Sequence, residues 1–96
     1  MAAAVSIHSV SVDRQVSNAA LIGAFDAQNA DFLAEHLDEL QGDVMLECEK
    51  LESIDARAAR VLLRFRDGLQ RRGRGLMFRS LPETCRTILV RQALGA

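Results

Sequence analysis

The chain contains no tryptophan and no tyrosine, and four phenylalanines are its only aromatic residues. No stacking platform flanks its arginines, so the usual signature of single-stranded nucleic-acid binding is missing, and no direct nucleic-acid partner is expected. Cysteine is scarce as well. Cys48 and Cys85 lie 37 positions apart, each inside an apolar pattern (Val44-Leu46-Cys48 and Leu81-Cys85-Ile88), and read as buried core thiols rather than redox or metal chemistry. The two histidines, His8 and His36, have no cysteine or histidine at ligand spacing, so neither a metal site nor a cofactor is expected. Pro82 is the only proline, and linkers, repeats and low-complexity blocks are absent. No apolar run approaches the roughly 20 residues that cross a bilayer, which argues against direct membrane insertion. The first residues, Met1-Ala2-Ala3-Ala4-Val5-Ser6-Ile7-His8, lack a basic n-region, so no signal peptide is read and a cytoplasmic location is expected.

What is present is an ordinary globular composition, 49% hydrophobic and 26% charged over 96 residues. That length predicts a single domain, residues 1–96, with one compact core. The net charge of −1 hides an asymmetry. Residues 1–56 carry eleven acids against Arg14 and Lys50, whereas residues 57–96 carry ten arginines against Asp67 and Glu83. Such halves either meet nucleic acid or an acidic partner, or neutralise one another across the fold.

The elements read β-β-α-β-α-β-α. Val5 to Val12 is a β-branched strand with a change of phase in its middle, Asp13-Arg14-Gln15 a tight turn, and Val16 to Gly23 a second strand completing a hairpin. Asp26 is placed to cap the next helix by accepting from a backbone N–H near Gln28 or Asn29. Ala30, Leu33, Leu37 and Leu40 recur there at helical spacing, with Asp31, Glu35, Asp38 and Glu39 facing water and Gly42 ending the element. Val44, Leu46 and Cys48 alternate with Met45, Glu47 and Glu49 in a strand that continues irregularly to Asp55. The second helix runs from about Ala56 to Arg72 on a stripe of Ala58, Leu62, Phe65 and Leu69, and stops at Gly73. Gly75 to Arg79 reads as a short central strand, and Ser80-Leu81-Pro82-Glu83 as a capping box for a last helix. That helix has Cys85, Ile88, Leu89 and Leu94 on its apolar side. Alternation of strands and helices predicts an α/β fold: a four- to five-stranded mixed sheet with helices packed mainly on one face. The other face is then half-exposed, covered by the first strand, or paired in a homodimer.

Leu51-Glu52-Ser53-Ile54-Asp55-Ala56-Arg57-Ala58 is a strand end, an acidic cap and a helix start. It resembles the corner signature of the STAS domain family, the anti-sigma-factor antagonists. Gly23-Ala24-Phe25-Asp26-Ala27-Gln28-Asn29-Ala30 is similar to that family's early Gly-x-hydrophobic-Asp-x-x-Asn-Ala motif, Gly73-Arg74-Gly75-Leu76-Met77-Phe78 to its Gly-x-x-hydrophobic strand, and Leu94-Gly95 to its usual ending. The resemblance implies a STAS-like fold and a small protein-binding module. Its partner would be a nucleotide-binding anti-sigma kinase or, alternatively, the ATPase subunit of a lipid-transporting ABC complex. A small-ligand sensor is a third reading. In the family a serine at this corner is the phosphorylation switch, and Arg57 stands in its place, so no phosphoacceptor is expected here.

The residues expected to meet a partner are Asp26, Ser53, Asp55, Ala56, Arg57, Ala58, Arg60 and Arg64. Asp55 is an N-cap, a role compatible with a partner contact. Arg57 puts a cation in a first helical turn, against the macrodipole, either as a solvated drifted position or as a permanent contact to an acidic surface. Arg57, Arg60, Arg64 and Arg71 follow one helix face, with Asp67 placed to pair with Arg64 and Arg71; the strip is a solvated face or an electrostatic docking strip. Ser53 is the nearest hydroxyl but lies on the strand. Asp26 and Asp55 would meet at neighbouring strand ends, yet without a nucleophile, metal motif or phosphate loop they do not make an enzyme, and no catalytic residue is expected.

Overall fold

A computed structural model of the chain describes residues 6–12, as backbone, and residues 16–95. The expected turn at Asp13-Arg14-Gln15 lies outside the described residues. Strand β1 (Ser6–Val12) pairs antiparallel with β2 (Val16–Phe25). The change of phase read in β1 is a register shift between Ser9 and Ser11, where an extra residue interrupts the ladder. β2 runs two residues further than the sequence suggested and is the axis of the sheet. Ser17, Ala19, Leu21, Gly23 and Phe25 are buried on one side, while the residues between them are half-exposed.

Helix α1 (Ala30–Asp38) is followed by β3 (Asp43–Glu47) and β4 (Leu51–Ile54), the two parts of the irregular strand read in the sequence. β3 lies parallel to the first half of β2 and β4 to its end, from Gly23 to Phe25. The switch between them occurs at Gly23, whose φ of 100° is a conformation that side chains with a Cβ rarely adopt. A register shift also bulges β4 near Glu52, which breaks its alternation: Leu51 and Ile54 are buried, Glu52 and Ser53 exposed.

Helix α2 (Ala56–Arg71) ends in a Schellman arrangement, with the Arg74 N–H on the Leu69 carbonyl and the Gly73 N–H on the Gln70 carbonyl. β5 (Leu76–Arg79) pairs only with β3 and is an edge strand, not a central one. β2 is flanked by β1 and β3, and the crossover through α2 adds β5 on the outer side of β3. The sheet is thus mixed, with parallel β2–β3, β2–β4 and β3–β5 pairings and the antiparallel hairpin at one edge.

The last helix, α3 (Glu83–Leu94), departs from the sequence reading at both ends. Ser80 does not cap it. Pro82 disfavours a helical conformation at Leu81, so Pro82 itself takes the cap position (φ −59°, ψ 144°) and Ser80 turns into a left-handed conformation (φ 57°). Leu94 is 82% exposed and contributes nothing to the core. Cys85 and Leu89 are buried as expected, and Ile88 packs against them.

The core is one cluster in which Leu21, Phe25, Val44, Leu46 and Ile54 from the strands meet Leu33, Leu37, Leu62, Leu69 and Leu89 from the helices. Phe65 packs at its margin. No helix among the described residues is long and apolar enough to cross a membrane.

Candidate functional site

Two corners meet where β2 and β4 end side by side. The Asp55 N–H donates to the Phe25 carbonyl at 3.0 Å, which ties the strand ends together. From there Asp55 divides its carboxylate. Oδ1 accepts the Ala58 N–H at 2.9 Å, the N-cap bond expected from the sequence, and Oδ2 accepts the Ala27 N–H of the other corner, also at 2.9 Å. One side chain therefore caps α2 and fixes the loop after β2.

That loop is also stapled from within. Asp26 Oδ1 accepts the Gln28 N–H at 2.9 Å. The bond forms as expected, but it closes a turn rather than capping the helix, since α1 begins only at Ala30. Asn29 completes the loop: its Oδ1 accepts the Asp26 N–H at 2.8 Å and its Nδ2 donates to the Ala24 carbonyl at 2.9 Å. Asn29 was not among the expected site residues, although the Asp-x-x-Asn spacing at Asp26 carried the signal. Asp26 and Asp55 are brought together as expected, with both oxygens of Asp55 and one oxygen of Asp26 accepting backbone amides.

Beyond the corner, Ala56, Arg57 and Arg60 are exposed, whereas Ala58 is buried beneath the first turn of α2. Ser53 is exposed on β4, outside that turn. An open groove of about 440 Å³ runs between α1 and α2, with Asp31, Ala34 and Asp38 on one wall and Arg57, Arg60, Val61, Arg64 and Phe65 on the other. Arg72 lines its continuation toward the far end of α2; Arg71 does not line it. Arg60 hydrogen-bonds Gln92 at 3.2 Å, and among the described residues none of the groove's arginines or aspartates forms an ion pair. Asp67 pairs with its neighbour Arg66 at 3.4 Å rather than with Arg64 or Arg71. Exposed pairs of this kind are worth little, so nothing compels the i,i+3 or i,i+4 partner.

A model of the STAS domain matches residues 10–95. The chain belongs to the STAS domain family. Three solved structures share the fold at low identity. The STAS domain of an antisigma-factor antagonist from Rhodobacter sphaeroides is 14% identical, with a TM-score of 0.64, over 86% of this chain and 95% of that one. The anti-sigma factor antagonist SpoIIAA in its unphosphorylated form is 16% identical, with a TM-score of 0.70, over 96% and 83%. A structure described as "Crystal Structure Analysis of Mglu" is 21% identical, with a TM-score of 0.64, over 78% of this chain but only 20% of that one. No curated protein matches the sequence significantly.

In this STAS domain the two cysteines belong to the core. Cys48 and Cys85 are fully buried. Burial, reinforced by Glu47 and by Cys85, pushes the Cys48 thiol up to about 12, and burial raises Cys85 as well. Both are protonated core groups at neutral pH. Among the described residues, no group of three or more His, Cys, Asp or Glu side chains is gathered as a metal set.

Proposed function

We propose that this STAS domain is a non-catalytic regulatory module that binds a nucleotide-binding protein of the anti-sigma kinase type, in cytoplasmic bacterial signalling that controls transcription. Asp26 and Asp55 shape the docking corner, and Ser53, Ala56, Arg57, Arg60 and Arg64 provide the surface around it, while the buried Ala58 supports the turn from beneath. One observation carries the reading: the exposed first turn of α2, held rigidly to the neighbouring loop by Asp55, presents Arg57 and no hydroxyl. A phosphoserine would bring about two negative charges to such a turn, whereas arginine brings one permanent positive charge. Binding through this corner is therefore constitutive with respect to phosphorylation and favours an acidic partner surface.

Affinity capture from native lysate with wild type and Arg57→Glu side by side tests this reading. A nucleotide-binding protein, identified by mass spectrometry, should be retained by wild type and lost by the variant. The melting temperature should stay nearly unchanged, because Arg57 is exposed and forms no ion pair among the described residues. Unaltered affinity of such a partner for Arg57→Glu would remove Arg57 from the interface. Labelling of the chain on a hydroxyl by that partner and ATP would refute the phosphorylation-independent reading.

A further inference from the structure

Among the described residues, the acidic and basic halves of this chain meet in a single ion pair. Of the three ion pairs among the described residues, only Arg79–Glu47 joins the two halves; Arg66–Asp67 and Arg86–Glu83 lie within the basic one. The separation is sharpest across the groove between α1 and α2. Its α1 wall carries Asp31 and Asp38 and its α2 wall Arg57, Arg60 and Arg64, with half-buried Ala34, Val61 and Phe65 supplying apolar surface between them. The opposed charges stay too far apart for ion pairs and leave the groove open.

An occupant of such a groove has to offer cations to one wall and anions to the other. A purely acidic ligand would satisfy the arginines and be repelled by Asp31 and Asp38. A surface with the same two bands meets the requirement when turned through half a rotation. A two-fold axis passing through the groove sets α1 of one copy against α2 of its partner and α2 against the partner's α1, so that each acidic wall faces a basic one twice over. We infer that this groove is the interface of a symmetric homodimer, in which Asp31 and Asp38 of each copy face Arg57, Arg60 and Arg64 of the other.

The inference does not rest on the partner reading above. It does have a consequence for it, since the same arginines cannot serve a second copy and a heterologous partner at once. It also moves the pairing surface. The sequence left room for a homodimer through the sheet's open face, whereas the charge pattern favours the helical layer.

Sedimentation equilibrium of the full chain alone is the direct test. At low salt the wild type should rise with concentration from a mass of 10.6 kDa toward twice that value, and return to the monomer near 1 M salt, where the screening length falls to about 3 Å. Arg60→Glu/Arg64→Glu makes both walls acidic, and Asp31→Arg/Asp38→Arg makes both basic. Each variant should remain monomeric by itself. An equimolar mixture should associate as tightly as wild type, because a mixed pair restores both contacts. Far-UV circular dichroism before mixing establishes that each variant is folded. A wild type that stays monomeric at low salt overturns the inference, and so does association that persists near 1 M salt. Association of either variant alone at wild-type strength, or failure of the two folded variants to associate when mixed, would do the same.

Discussion

Asp55 serves two backbone amides with one carboxylate, and the substitution that removes it should be felt at both. In Asp55→Ala the Ala27 and Ala58 N–H groups lose their acceptor, and urea denaturation should show a loss of roughly 1–2 kcal/mol. Asp55→Asn keeps a single carbonyl oxygen, so one amide stays satisfied and the loss should be about half as large. Amide exchange gives the sharper reading: Ala27 and Ala58 should accelerate together in Asp55→Ala, and a change confined to Ala58 would mean that the two corners are not linked. The capping role was legible in the sequence because it is local, an acid three residues before the amide it serves. The bond to Ala27 was not, since it spans 28 residues and exists only because β2 and β4 end side by side. Cys48 gives a second test at this scale. Its folded-state value lies above the ordinary 9.0. The contribution to stability is therefore complete below 9 and is lost as the pH rises toward about 12, while the unfolded chain alone ionises. Thermal melts across that window should fall less steeply for Cys48→Ala than for wild type. At pH 8 a thiol reagent should label Cys48 and Cys85 only after denaturation.

At the scale of elements, hydrophobic periodicity located the three helices and four of the five described strands, β4 having been read as an irregular continuation of β3, and failures arose where a neighbour's geometry decided the outcome. Three of the four residues read as the stripe of α2, Ala58, Leu62 and Leu69, are buried, because 3.6-residue spacing places them inside without reference to the rest of the chain, while the fourth, Phe65, is half-buried at the margin. Leu94 was misread because apolar spacing says which side of a helix faces inward, not how far along the helix the core extends. The difference can be measured. Leu89→Ala should cost roughly 2–5 kcal/mol as a core truncation, and Leu94→Ala should fall within about 0.5 kcal/mol of wild type, both by urea denaturation. Equal losses would place Leu94 in the core after all. The Ser80–Glu83 box failed for a related reason: its spacing is correct, but Pro82 governs the backbone of the residue before it and overrides the cap. Likewise, β5 is a sound strand assignment with the wrong neighbours, since strand order is a property of the whole sheet and not of any segment.

At the scale of the whole molecule, one buried cluster joins strands and helices from both halves of the sequence, without a second centre among the described residues. The chain should accordingly unfold in a single cooperative step, with helical circular dichroism and backbone amide signals of β2 and β3 giving coincident urea curves; separate transitions would mean more than one folding unit. The family and the fold were legible in the sequence, because both rest on the order of short motifs. The groove between α1 and α2 was not. Its basic wall lies on one helix and could be read off as a stripe, but Asp31 and Asp38 become the opposite wall only once α1 packs beside α2. The position of β2, paired on both sides, also has a meaning in time. Its hairpin partner β1 precedes it directly, whereas β4, which completes its end, lies about 30 residues later. At the usual 5–20 residues per second this is a delay of roughly 2–6 s in synthesis, set against hairpin formation in about 1–10 μs. On the ribosome, then, β2 has ample time to find β1 while its other edge is still waiting for chain that has not been made.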